Sequence, residues 1–129
     1  MKRKQMLVSV LILGALLALA VWAAHAQAPQ AEPDLVITDV WASGADICYQ
    51  IRNVGDAAAP AGHESVLYID GTPSAGDTVT VTMAPGERLN RCFGFSQWQC
   101  SPPQDTIKVC ADNQNYVTES DEINNCTEE

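Results

Sequence analysis

The sequence predicts an all-β protein: an immunoglobulin-like antiparallel β-sandwich of about seven strands, preceded by an N-terminal signal or transmembrane helix. Three observations predict it. Apolar and polar residues alternate with period two in one short segment after another from Asp34 onward. Turn residues separate these segments about every ten positions, the spacing of a sandwich. Outside the N-terminal apolar run, no stretch repeats its apolar residues with helical spacing.

The elements follow in order. Asp34 to Trp41 is the first strand, and Ser43-Gly44 turns the chain. Asp46 to Asn53 is the second, with Ile47, Tyr49 and Ile51 on one face and Cys48, Gln50 and Arg52 on the other. Asn53-Val54-Gly55 ends it, and an Ala/Pro loop follows. Glu64 to Asp70 is the third, closed by Asp70-Gly71, a strong hairpin signal. Asp77 to Met83, where threonine and valine alternate, reads as the fourth. Pro85-Gly86 suits the centre of a type II turn. Arg88 to Ser96 is the fifth, with Leu89, Phe93 and Phe95 inward. Asp105 to Asp112 is the sixth, with Ile107, Val109 and Ala111 inward, and a last strand is expected from about Ile123.

The basic start MKRK, the apolar run Met6 to Ala24 and the small-residue site Ala24-His25-Ala26 have the layout of a secretory signal over residues 1–26. The run is also long enough for an uncleaved membrane anchor. Residues 27–33 read as a Pro/Ala linker, and residues 34–129 as the domain. Without the signal, only Arg52, Arg88, Arg91 and Lys108 remain against sixteen acidic residues, a net charge of about −12. Coulomb repulsion argues against nucleic acid and anionic lipid as partners, so membrane contact is expected only through an uncleaved N-terminal segment. Basic partners or divalent cations would be attracted.

In this order the segments resemble the CARDB family, the cell-adhesion-related domain of bacteria and archaea. The matching pieces are PDLVITDV, ICYQIRNVGDAAA, VLYIDG, APGE, IKVCAD and the closing VTESDEINN. The resemblance implies a seven-stranded sandwich found on cell-surface and secreted proteins, often as tandem copies beside other domains. It leads to the expectation of a non-catalytic adhesion or structural module, secreted or held in the cell envelope. The expected partner is a surface protein or polysaccharide. This chain has one copy, and only Cys126 to Glu129 follow the Asn pair, so the final strand is either short or the gene is a fragment.

All five cysteines lie beyond the signal, which suggests disulfides formed outside the cytoplasm. Alternation turns Cys110 away from the core, and Cys126 falls early in the neighbouring strand, so a Cys110–Cys126 bridge is expected. Cys48 also faces outward; its partner is Cys92 or Cys100, with Cys100 preferred. The odd thiol would then be Cys92, free or linking two chains in a disulfide dimer.

The acidic corner offers Asp112, Asn115, Glu119, Asp121, Glu122, Asn124 and Asn125 as hard oxygen ligands, so calcium binding is the alternative function. No other cofactor is expected. The EF-hand spacing is absent, and the preferred reading has Glu119 and the Asn124-Asn125 amides bonding the backbone to hold the corner rigid. Trp41, Trp98, Tyr116 and the apolar loop Ala57 to Ala61 are candidates for a binding rim, although tryptophans at strand ends more often plug the core. His63 is read as an exposed histidine at a strand start. No Ser/His/Asp order or paired carboxylates are visible, so catalysis is not expected.

Overall fold

The computed structural model describes residues 28–94 and 104–129. The signal or anchor of residues 1–26, Phe95, Trp98 and Cys100 lie outside the described residues. Ala31–Glu129 forms one compact unit, separate from Met1–Gln30. No helix occurs among the described residues.

Seven strands form two antiparallel sheets: β1 (Leu35–Ser43), β2 (Asp46–Asn53), β3 (Glu64–Ile69), β4 (Thr72–Thr78), β5 (Arg88–Cys92), β6 (Ile107–Cys110) and β7 (Cys126–Glu128). One sheet has the order β1-β2-β5 and the other β4-β3-β6-β7. Their inner faces enclose Leu35, Tyr49, Ile51, Leu67, Val109 and Phe93, all without solvent exposure. The Tyr49 and Phe93 rings stack with centroids 4.9 Å apart. Alternation on β2 falls as the sequence implies, with Ile47, Tyr49, Ile51 and Asn53 all buried.

Cross-sheet bonds tie both open sides of the sandwich. On one side, Arg91 of β5 forms an ion pair with Asp77 of β4, its Nη2 donating to Oδ1 at 2.7 Å. The Tyr49 hydroxyl donates to the other Asp77 oxygen at 2.7 Å. On the other side, Thr127 Oγ1 of β7 donates to the carbonyl of Ile37 in β1 at 2.8 Å. The register of β1 shifts between Ile37 and Asp39. A bulge there leaves one residue unpaired and moves the residues beyond it to the opposite face.

The fourth strand differs from expectation. Asp70 and Gly71 both take positive φ, 49° and 76°, as a type I′ hairpin requires. The chain therefore returns at once, and Thr72–Thr78 pairs with β3 despite its weak strand composition. Residues 79–83, the Thr/Val alternation, instead cross from one sheet to the other. Val79 and Met83 are buried and bond the backbone of His63 and Ala59, while Val81 stays exposed. Pro85 and Gly86 then form the expected turn, with Gly86 at φ 80° and Glu87 N donating to the Ala84 carbonyl.

The linker is shorter than the composition suggests. The Glu32 carbonyl accepts from Asp56 N and Ala57 N, and the Pro33 carbonyl accepts from Ser120 N. Both residues thus belong to the sandwich. A side chain at Gly55 would drive its Cβ into the Glu32 carbonyl oxygen, so only glycine admits this approach.

Asn53 is the junction of this end. Its Oδ1 accepts from Asp34 N and Gly55 N, both at 3.1 Å. Its Nδ2 donates to the carbonyls of Ala57 at 2.8 Å and Met83 at 3.0 Å. Asn53→Asp keeps the shape but sets carboxylate oxygens against two carbonyls. It is expected to cost about 3 kcal/mol in urea unfolding, as much as Asn53→Ala. A loss under about 1 kcal/mol would contradict this role.

Candidate functional site

The sandwich has two ends. At one lie the Gly44 turn, the Asp70-Gly71 hairpin, the end of β1 and the start of β6. At the other gather residues 31–34, 54–63, 79–87 and 111–125, because β1 and β7 start there and β2 and β6 end there. This second end carries the acidic corner and is the candidate site.

The corner is built on Asp112, which is buried at positive φ (39°). Its carboxylate accepts from Tyr116 N at 3.0 Å and Val117 N at 2.7 Å. Its carbonyl accepts from Asn115 N, and Asn115 itself has φ 51°. Asn113 N donates to the Glu64 carbonyl, and Gln114 Nε2 donates to the Glu64 side chain at 2.8 Å. The second half is built on Glu119, only 5% exposed. Its carboxylate accepts from Leu35 N and from Asn125 Nδ2. Its own N–H donates to Glu122 at 2.9 Å. Asp121 accepts from Ile123 N at 3.0 Å, and Asn124 Nδ2 donates to Asp34 at 3.0 Å.

These contacts decide what the seven corner residues can do. Asp112 and Glu119 each receive two N–H donors, Asp121 and Glu122 each cap a backbone N–H, and both amide groups donate to carboxylates. Among the described residues, no three His, Cys, Asp or Glu side chains converge to hold a metal ion. The Oδ1 atoms of Asn124 and Asn125 are buried there without a protein donor.

The candidate rim is divided. Tyr116 is 65% exposed and stands over Gly62, so it adjoins the 57–61 loop at the corner end. Trp41 pairs with Cys48 near the opposite end, beside a cleft of about 260 Å³ floored by Val40, Ile47 and Ile107. The structure brings Tyr116 and the loop together and leaves Trp41 apart from them.

Two bridges are formed. Cys110 and Cys126, paired in register between β6 and β7, are bonded at 2.08 Å. Cys48 is bonded to Cys92 at 2.03 Å, not to Cys100. The reason is register: β5 lies beside β2, and Cys92 falls directly opposite Cys48. Cys100 is therefore the cysteine outside both bonds. The final strand begins at Cys126 rather than Ile123, because residues 119–124 are engaged with Pro33, Asp34 and Leu35. Ile123 is left 93% exposed.

His63 also departs from expectation. It is fully buried, and neither ring nitrogen has a hydrogen-bond partner. Burial holds it below the usual histidine range; Asp112 acts against that shift and Arg91 with it. Burial pushes Glu119 up to about 7, against its two N–H donors. Burial works against ionisation of Asp77 too, but the Arg91 and Tyr49 bonds outweigh it and hold that carboxyl low. No sequence signal marked Asn53 or Arg91, whose partners come from distant segments.

The family's sequence pattern matches residues 32–129. A sandwich of this topology with that match defines a CARDB-type domain, and the chain belongs to the CARDB family. The crystal structure of the CARDB domain of a Pyrococcus furiosus protein, in complex with di-metal ions, is similar at 22% identity and a TM-score of 0.58. The match covers 78% of this chain and 93% of that one. A solution NMR structure of a Pyrococcus furiosus CARDB domain gives 24% identity and a TM-score of 0.60, covering 77% and 93%. At these identities the likeness concerns the fold. No curated protein matches the chain.

The two bridges differ in the loop each closes. Chain-entropy reasoning gives about 4 kcal/mol for the 44-residue separation of Cys48 and Cys92, and about 3 kcal/mol for the 16 residues between Cys110 and Cys126. Replacing each pair by alanine should therefore lower the urea midpoint more for Cys48/Cys92; the reverse order would contradict this.

The buried titrating groups set opposite pH slopes. The native pKa of Glu119 lies above its unfolded value of 4.5, so its contribution is complete below pH 4.5 and is lost as pH rises through about 7. The native pKa of His63 is depressed from 6.5, so its contribution is present above that pH and is lost as pH falls below it. Between about pH 4.5 and 8, Glu119→Gln should gain on the wild type as pH rises, and His63→Gln should gain on it as pH falls. Unfolding midpoints that run parallel for all three proteins would contradict both assignments.

Proposed function

We propose that this chain is a non-catalytic, exported binding module that works at or beyond the cell envelope and holds its partner through the loops of the corner end. The observation that carries this reading is the way buried side chains hold that end rigid. Asn53, Asp112 and Glu119 fix the backbone of three loops while Tyr116 and Ile123 stand exposed. Such pre-organisation lowers the entropy cost of association. Family membership supports an adhesion-related role. Two cross-strand disulfides suit an oxidising compartment. Tethering through an uncleaved N-terminal segment and dimerisation through Cys100 remain parts of the proposal, read together by non-reducing mass analysis of the exported protein.

The test is an array of surface proteins and polysaccharides probed with and without calcium. Binding that is independent of calcium is expected. Turnover of any polymer would overturn the non-catalytic reading.

Cation binding at the corner is a second reading. It is favoured by the di-metal ions of the Pyrococcus domain and by the unpartnered Asn124 and Asn125 oxygens. The buried carboxylates do not fit it, since Asp112 and Glu119 already accept N–H donors on both oxygens. Calorimetry should find the melting temperature unchanged by millimolar calcium or magnesium; a rise with calcium alone would establish the second reading.

A further inference from the structure

The large apolar residues exposed among the described residues are Val54, Val81, Tyr116 and Ile123, at 43%, 48%, 65% and 93%. All four lie in the loops of the corner end. Single exposed apolar residues are ordinary on any surface, but their confinement to one end is not. Backbone bonds link their segments. Val54 N donates to the Asp34 carbonyl, and Ser120 N to that of Pro33, so the 53–57 and 119–124 segments flank the same entering chain. Gly62 lies under Tyr116 and donates to the Val79 carbonyl, two residues before Val81.

The charges around these residues have one sign. Segments 31–34, 54–63, 79–87 and 111–125 contain no lysine or arginine. Asp56, Glu87, Asp121 and Glu122 are exposed there. Arg52 and Arg88, which adjoin the 54–63 and 79–87 segments in sequence, pair in register between β2 and β5. An acidic rim around apolar side chains repels a second copy of this end and any anionic polymer. It attracts a surface of opposite charge.

We propose that this end docks a polypeptide segment that interleaves arginine or lysine with large apolar side chains. Tyr116 and Ile123 pack against the apolar side chains, and the exposed carboxylates meet the cations. This rests on the reading of the chain as a loop-end binding module and names the chemistry of its partner. Tyr116 is the expected hot spot, since its ring has few torsions to lose and its backbone is already fixed by the bond from its N–H to Asp112.

The test is a titration of the signal-less chain, followed by backbone amide shifts, with a blocked hexapeptide alternating arginine and leucine. Controls replace arginine by glutamate or leucine by alanine, and maltohexaose serves as a neutral oligosaccharide. Shifts confined to residues 54–62, 79–83 and 112–125 are expected with the arginine/leucine peptide alone, weakening as salt is raised. Tyr116→Ala should weaken binding about tenfold and Asp56→Asn about twofold to threefold. Both residues are exposed, and an unchanged melting temperature confirms folding.

Equal binding of the alanine peptide would reduce the effect to bare charge attraction and overturn the proposal. So would shifts with maltohexaose at this end, shifts mapping to the Trp41 end, or no shifts at all. The two readings fail separately. A surface protein found on the array that Tyr116→Ala still binds would remove this site and leave the module reading intact. Peptide binding here with an empty array would do the reverse.

Discussion

Three segments at the corner end depend on one buried amide. The Asn53 side chain satisfies two donors and two acceptors at once, on Asp34, Gly55, Ala57 and Met83. A buried loop backbone without partners would cost several kcal/mol, because each orphaned N–H or carbonyl loses its water. One asparagine removes that penalty for the entering strand, the Ala/Pro loop and the chain crossing between sheets. Gly55 completes the arrangement by letting the Glu32–Asp34 backbone lie directly on the loop.

The acidic corner extends the same logic. Asp112 and Glu119 sit where a carboxyl group can accept two N–H groups, so their oxygens hold the corner together and are not displayed. Glu119 binds the first residue of β1 across 84 positions of sequence, closing the domain from its last loop to its first strand. Cys110–Cys126 locks the base of that loop. The result is a β-sandwich with one end rigid and built from loops, and apolar side chains raised above an acidic surface.

Much of this was legible in the sequence, and the exceptions have physical causes. The bounds of β2 follow from its alternation, with Ile47, Tyr49, Ile51 and Asn53 buried on one face, although Cys48, expected to face outward, is buried as well in its bond to Cys92. β4 was hidden: its residues favour no strand, and the hairpin turn imposes the pairing. The Thr/Val run that looked like a strand connects two sheets, which local propensity cannot reveal. Cys92 became the partner of Cys48 through strand order, a long-range fact. His63 reads as a polar residue next to a glycine, yet the fold buries it completely. At the candidate site, Glu119 bonds backbone as expected, whereas the Asn124 and Asn125 amides, expected to do the same, bond the carboxylates of Asp34 and Glu119, and Asn53 looked like an ordinary strand end. The rim was half right in composition: Tyr116 joins the Ala/Pro loop, and Trp41 belongs elsewhere.

The central claim is that the corner end is held as firmly as the core. Native-state hydrogen exchange at the amides of Leu35, Gly55, Tyr116 and Val117 tests it most directly. These four N–H groups donate to the side chains of Glu119, Asn53 and Asp112. The account requires them to exchange as slowly as the strand amides of β2 and β6, through global unfolding. Rapid exchange at these positions, with the strands still protected, would mean the loops open freely, and the account of a pre-organised binding end would be wrong.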